Sequence, residues 1–453
     1  MMKIKRYVCL VVSLVLCFCL FAGCSDSPAE TNAPTDTPTD TPTDTPPATD
    51  PPVETPDPGP EDVTLSIYAQ YADDDTKVPY DYAVEQLAVA YPHVTLQLEP
   101  QAQDDGQKLM TYAATGNLPD IYQVALAQIE NFKTSGNIMV LNDVAASTGF
   151  TDKVFESAKN ILYNEDGNIY AFPYAGNEYV VIYYNKALFT ENNVEVPKTF
   201  DDLLAAIATF KAADIIPMSI FGAEGWITAA MYDTIATRWD AGGIAKLDDG
   251  AGKPTEDAYV KAAEMMNTLV KAGLFQASAT STNYDQASEL FLTGKAAMFI
   301  NGQWYMTDAT DEMGDNVDWM YYPSYDAASY EAGKIVWSGG GAAAGYAVNP
   351  NSEHAQLAAE VAAFLSEKYC EAKVKLRGTP LVALDVNVTP DKPFPAMMQK
   401  LQADMPNITS ITKFAWHLTN PTFKTALEDQ TKYLLTPDYS PEEFISELES
   451  ALQ

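Results

Sequence analysis

The sequence predicts an α/β protein built as two lobes, and three observations carry that prediction. From Val63 onward, short alternating apolar stretches take turns with stretches of helical periodicity, which predicts mainly parallel sheets with helices on their faces. Residues 63–453 make up most of the 453-residue chain, a length better divided between two domains than packed into one. No sequence period repeats along it, which argues against a solenoid or a propeller.

The elements follow in order. "VTLSIYA" (63–69) alternates like a strand. Val84, Leu87, Ala88 and Tyr91 recur at helical spacing until Pro92 ends the helix. "VTLQL" (94–98) is the next strand, a helix over about 105–114 stops at Thr115-Gly116, and "DIYQVAL" (120–126) returns to strand. Thr199 and Asp202 read as a capping box opening a helix with Phe200, Leu203, Leu204, Ile207 and Phe210 on one face. A second such helix spans about 256–272, with Tyr259, Ala262, Ala263, Met266 and Val270 inward and Gly273 as its stop. A third covers roughly 353–367. The apolar run 296–300 reads as a buried strand ending at Ile300, where Asn301-Gly302 bends the chain and Gly302 permits a sharp turn. Trp304 is then either more core or an indole facing something outside the protein.

Residues 1–23 have the form of an export signal. Lys3, Lys5 and Arg6 precede an apolar run from Tyr7 to Ala22 that is short for a membrane span. Its end, Leu20-Phe21-Ala22-Gly23-Cys24, resembles the bacterial lipoprotein lipobox, which implies lipidation of Cys24 and a position outside the cytoplasm; the alternative is an ordinary secretory signal with Cys24 incidental. Residues 24–62 then read as a tether. "TDTPTDTPTDTPPATD" is a Thr-Pro-Asp repeat, and Ser25–Asp62 holds ten Asp/Glu and no Lys/Arg. Proline and self-repelling charge extend such a chain, and it has too few apolar groups for a core. Of the five cysteines, Cys9, Cys17 and Cys19 lie in the signal and only Cys370 follows Cys24, so neither a disulfide framework nor a cysteine metal site is expected. A net charge of −35 argues against nucleic acid and against docking on an anionic membrane, leaving the lipid as the anchor.

Five stretches occur in an order that points to a family: "ATGNLPDIYQV" (114–124), "IYAFPYAGNEYVVIYYNKALF" (169–189), "VPKTFDDLLAAIATFK" (196–211), "FLTGKAAMFINGQW" (291–304) and "GGGAAAGYAVNPNSEHAQLAAEVAAFL" (339–365). With "MPNI" (405–408) before Trp416, they resemble the family 1 extracellular solute-binding proteins, the group that includes maltose-binding protein. The resemblance implies a two-lobed periplasmic-binding-protein-like fold with a hinge and an interlobe ligand cleft. Lobe one would comprise 63–176 plus about 338–385, and lobe two about 182–333 plus 386–453. It implies an oligosaccharide ligand, delivery to the membrane subunits of an ABC importer, a monomeric state, and no cofactor or catalytic residue.

A neutral sugar offers an apolar C–H face and a rim of hydroxyls. Its site therefore wants Trp or Tyr beside Asp, Glu, Asn or Gln. Trp304 matches the aromatic of the family's Gly-x-Trp, and otherwise caps the lobe's core. Glu178, six residues before Tyr184, matches the family's acid at the hinge crossing; the other reading is a solvated strand end. Asn177 stands beside it. Glu224 and Trp226, in "FGAEGWITAA", match a loop that carries an acid and aromatics into the cleft, with helix-start packing as the plain reading for Trp226. Trp337 precedes Gly339-Gly340-Gly341, where Gly340 would let backbone approach a ligand or merely a neighbour. Trp416 matches a C-terminal aromatic. Tyr71 and Gln123 follow the first strand and lie in the "PDIYQV" strand, at the expected edge of the cleft in lobe one. Val124-Ala125-Leu126-Ala127 lacks the aromatic and acid of maltose-binding protein, which puts maltose itself in doubt. Trp239 and Trp319 are assigned to core or surface.

The rival is a secreted glycoside hydrolase, which also joins aromatics to paired carboxylates. A non-sugar solute and a surface adhesin are further alternatives. His93, His354 and His417 are isolated, and neither His-Glu-x-x-His nor Gly-x-Ser-x-Gly occurs.

Overall fold

The computed structural model describes residues 61–453 except 103, 105, 165 and 342–344. The expected export signal, Cys24 and all but the last two residues of the expected tether lie outside the described residues. The strands among them are β1 Val63–Ala69, β2 Val94–Pro100, β3 Ile121–Val124, β4 Phe172–Pro173, β5 Val180–Asn185, β6 Ile216–Ser219, β7 Ala296–Gly302, β8 Val317–Met320, β9 Val336–Trp337, β10 Gly345–Val348 and β11 Ser410–Ile411. Helices intervene between most of them, as the alternating pattern requires.

Two main sheets result. One has the order β2-β1-β3-β10-β4, the other β6-β7-β5-β8, and β9 pairs with β11 in a short ribbon. Each main sheet carries its own apolar core. Leu65, Ile67, Ile121 and Val348 belong to the first, with helices Asp74–Ala90 and Ala355–Lys375 against it. Val180–Tyr183, Phe299, Ile300 and helices Phe200–Ala212, Gly225–Ala236 and Asp257–Ala272 build the second. We call these bodies lobe one and lobe two. The chain leaves the first sheet after β4, enters the second at β5, and returns at β10.

The expectation of mainly parallel sheets needs correction. β1 is parallel to β2 and β3, and β6 to β7. β10, however, runs antiparallel to β3 and β4, and β5 runs antiparallel to β7 and β8. β5 and β10 are the strands that follow a passage from one lobe to the other, so no local strand–helix–strand turn sets their direction.

Local chemistry explains where elements begin and end. Thr199 caps Phe200–Ala212 through the reciprocal bonds with Asp202 expected of a capping box. Gly273 ends Asp257–Ala272 at φ 90°, a left-handed cap. The strand at 120–126 is shorter than expected: β3 stops at Val124 and a helix, Leu126–Ser135, starts at once. The Gln128 side chain accepts from the Ala125 N–H at 3.2 Å and secures that start. The helix expected over 353–367 continues to Lys375. β7 likewise outlasts its apolar run, because Asn301 and Gly302 pair with Val181 and Val180 and are buried.

Candidate functional site

The crossing segments between lobes are built on backbone contact. The N–H of Glu178 donates to the Gly341 carbonyl (3.3 Å), the Gly340 N–H donates back to the Glu178 carbonyl (2.8 Å), and the Val180 N–H donates to Ser338 (3.0 Å). A third passage meets them where the Gly176 N–H donates to the Leu381 carbonyl at 3.0 Å. The three glycines 339–341 all have positive φ, and a Cβ on Gly340 would lie 2.3 Å from the Thr412 carbonyl oxygen. A neighbouring backbone therefore makes the close approach expected at Gly340. Asp233 ties the same region to lobe two. Its carboxylate accepts from Ser338 Oγ (2.6 Å), Thr412 Oγ1 (2.5 Å) and the Ile244 N–H (2.8 Å). Burial still pushes its pKa up to about 6.

Glu178 sits at this junction, two residues before β5. The residue keeps partial solvent access, but protein surrounds its carboxyl group and burial pushes the pKa up to about 8. Lys373 opposes that shift and Asp75 adds to it. Those two residues form their own buried ion pair at 2.5 Å. Asn177, alongside, is half-buried.

The aromatics gather on lobe two. The strand β7 leads directly into a 3₁₀ turn, Gln303–Tyr305, which carries Trp304. Gly302 is extended (φ −82°, ψ 165°), so it makes no sharp turn. Its missing side chain serves the indole, because a Cβ there would lie 2.2 Å from the Trp304 ring. Trp226 opens the helix Gly225–Ala236 and places its ring 5.8 Å from that of Trp304 and 4.9 Å from that of Trp416. Its indole N–H donates to Glu224 Oε2 at 3.0 Å. Trp416 comes from the turn Ala415–His417 and stacks on Phe414 at 4.2 Å with 9° between planes. Phe414 is buried and lies 5.8 Å from Trp304. Trp226, Trp304 and Trp416 each remain half-buried, so three indoles on a buried phenylalanine base retain surface. The buried Trp416 Nε1 has no hydrogen-bond partner among the described residues.

Trp337 belongs elsewhere. It is 2% exposed, and Tyr179, Trp319, Tyr321 and Tyr322 surround it at 5.4–6.2 Å. Its N–H donates to the Lys334 carbonyl. Every face is spent on the core of lobe two, and the expectation of a ligand contact is corrected accordingly. Trp319 is fully buried, and Trp239 stacks between Phe200 and Tyr325.

In lobe one, Tyr71 is half-buried and its hydroxyl is engaged by both oxygens of Asp81 at 3.1 Å. Gln123 is 1% exposed, and its Oε1 accepts from the Gln70 N–H at 2.7 Å. The structure thus brings together Trp226, Trp304, Trp416 and Glu224, puts Glu178 and Asn177 at the crossing, and leaves Tyr71 and Gln123 on the other lobe. Sequence reasoning missed Phe414, the ring beneath these indoles. The signal for Phe414 was its place two residues from Trp416.

Residues 83–379, roughly two thirds of the chain, match the model of a family described as bacterial extracellular solute-binding protein. A probable sugar-binding periplasmic protein of Brucella suis is 24% identical, over 78% of this chain and 84% of that one. A multiple sugar-binding protein of Streptococcus mutans is 24% identical over 53% of this chain and 57% of its own. A probable sugar-binding periplasmic protein of Mesorhizobium japonicum is 25% identical over 45% and 50%. The chain thus spans about half the length of these last two relatives. Among solved structures, a chitin oligosaccharide binding protein superposes with a TM-score of 0.73 at 22% identity, covering 86% of this chain and 98% of that one. A structure from work on xylan utilization by Caldanaerobius polysaccharolyticus superposes with a TM-score of 0.75, also at 22% identity, covering 86% and 99%. These likenesses carry the two-lobed fold. The chain belongs to the bacterial extracellular solute-binding proteins.

Proposed function

We propose that this protein binds an oligosaccharide outside the cytoplasm and delivers it to the membrane subunits of an ABC importer. The observation that carries the reading is the group of half-buried indoles, Trp226, Trp304 and Trp416, set beside Glu224 and close to the crossing between lobes. Flat apolar faces next to acceptors suit the two surfaces of a neutral sugar. The names of the relatives point the same way. The ligand is held between lobes that close on it by a hinge at the crossing segments, the protein acts as a monomer, and a lipid on Cys24 followed by the acidic tether keeps it at the membrane. Replacing Cys24 with Ala should release the protein into the medium and abolish incorporation of labelled palmitate; retention at the membrane would remove the anchor from this account.

Within this reading the protein has no catalytic activity. The glycoside hydrolase reading has one observation in its favour, since a carboxyl pushed up to about 8 suits a general acid. Calorimetry with maltotriose, xylotriose, chitotriose and raffinose, run beside a reducing-sugar assay, separates the two. Saturable binding without product supports the binder. Turnover of any sugar overturns it, and silence across the panel points to another solute.

A further inference from the structure

The ladder between β5 and β7 ends in an unusual exchange. Val180 faces Gly302 in antiparallel register. One step further, Tyr179 and Gln303 should exchange two backbone hydrogen bonds. The Gln303 N–H does donate to the Tyr179 carbonyl at 2.9 Å. The Tyr179 N–H instead donates to the side-chain Oε1 of Gln303 at 2.6 Å. The Gln303 carbonyl is taken by the Met306 N–H, which closes the 3₁₀ turn. The side chain thus replaces a backbone acceptor, and the chain leaves the sheet without orphaning a buried N–H.

We infer that Gln303 is a positioning residue for the ligand site, holding Trp304 and Glu178 in fixed relation across the lobe junction. It rests on the sugar-binding reading above. Gln303 is 4% exposed and acts through its neighbours. On one side its turn projects Trp304 over Gly302. On the other it pins Tyr179, whose predecessor Glu178 is tied by its backbone to Gly340 and Gly341. No other side chain among the described residues bonds to the backbone of Tyr179. Glutamine has the reach and the acceptor for this; a methionine of the same length has only the reach.

The test compares Gln303→Met with Gln303→Glu, which keeps an acceptor at the same distance. Calorimetry uses the tightest-binding sugar of the four named above. Gln303→Met should weaken binding about tenfold or more and Gln303→Glu no more than about threefold. In a Trp304→Ala background, Gln303→Met should add less than about twofold, since the group it positions is gone. Equal affinity of Gln303→Met and the unaltered protein, or a tenfold loss that persists undiminished without Trp304, would overturn the inference. Hydrogen exchange of the Tyr179 amide in the unaltered protein needs no variant to fold and no sugar to bind. Slow exchange supports the clamp and rapid exchange rules it out. Absence of binding by the unaltered protein would count against the sugar-binding reading alone, and the Tyr179 amide would still decide on Gln303.

Discussion

The two lobes share an architecture and differ in what they can offer a ligand. All six tryptophans lie in or against the core of lobe two, and the cores of lobe one contain none. Lobe two presents Trp226, Trp304 and Trp416 on a stacked Phe414 base. Lobe one holds Tyr71, whose hydroxyl already serves Asp81, and Gln123, which is buried with its oxygen bonded to Gln70. The difference assigns the lobes unequal work. On the proposed function, lobe two would supply the apolar platform and most of the binding energy, and lobe one would contribute polar groups.

Variants can break or sharpen that division. The largest effect should come from Trp337→Ala, which empties a site buried among four aromatic rings. It should cost about 3–5 kcal/mol of stability, read by denaturant unfolding, while the folded fraction keeps its sugar affinity. A binding defect without loss of stability would return Trp337 to the site. Trp304→Ala comes next, weakening binding by about 1–3 kcal/mol with little change in melting temperature. Unchanged affinity would make Trp304 a core residue after all.

Glu178→Gln should act through pH. The folded carboxyl keeps its proton up to about 8, whereas the unfolded chain loses it near 4.5. Below the lower value both states are protonated and burial carries no penalty. Between the two values the folded state binds more protons, so stability falls as pH rises, and the contribution levels off above about 8. Melting temperature followed from pH 4 to 9 should therefore fall less steeply in Glu178→Gln than in the unaltered protein. Parallel curves would place the carboxyl in water. The smallest effect belongs to lobe one: Tyr71→Phe should shift affinity by less than about 0.5 kcal/mol, as for an exposed hydroxyl. A larger loss would mean that both lobes share the binding energy.

Much of the fold was legible because its signals are local. The helix Phe200–Ala212 announces itself by Thr199 and Asp202, and Asp257–Ala272 ends at a glycine whose φ only glycine tolerates well. What failed was set by distant contacts. β7 runs past Ile300 because β5 pairs with Asn301 and Gly302, and nothing in "FING" reveals that partner. Gly302 was legible as special but not for the right reason, since the indole lying over it comes from two residues on. Trp304 and Trp337 looked alike in sequence, each near glycine after an apolar run. Only the surrounding rings separate a half-exposed indole from one whose N–H and faces are all used. The antiparallel direction of β10 was hidden for the same reason, as its neighbours lie more than 170 residues earlier.

Six 5-fluorotryptophan resonances, assigned by single substitutions, test directly which tryptophans meet the ligand. Adding a sugar that binds should shift the signals of Trp226, Trp304 and Trp416 while Trp319 and Trp337 stay in place. Shifts confined to the two core residues, or none at the three indoles of the platform, would contradict the account.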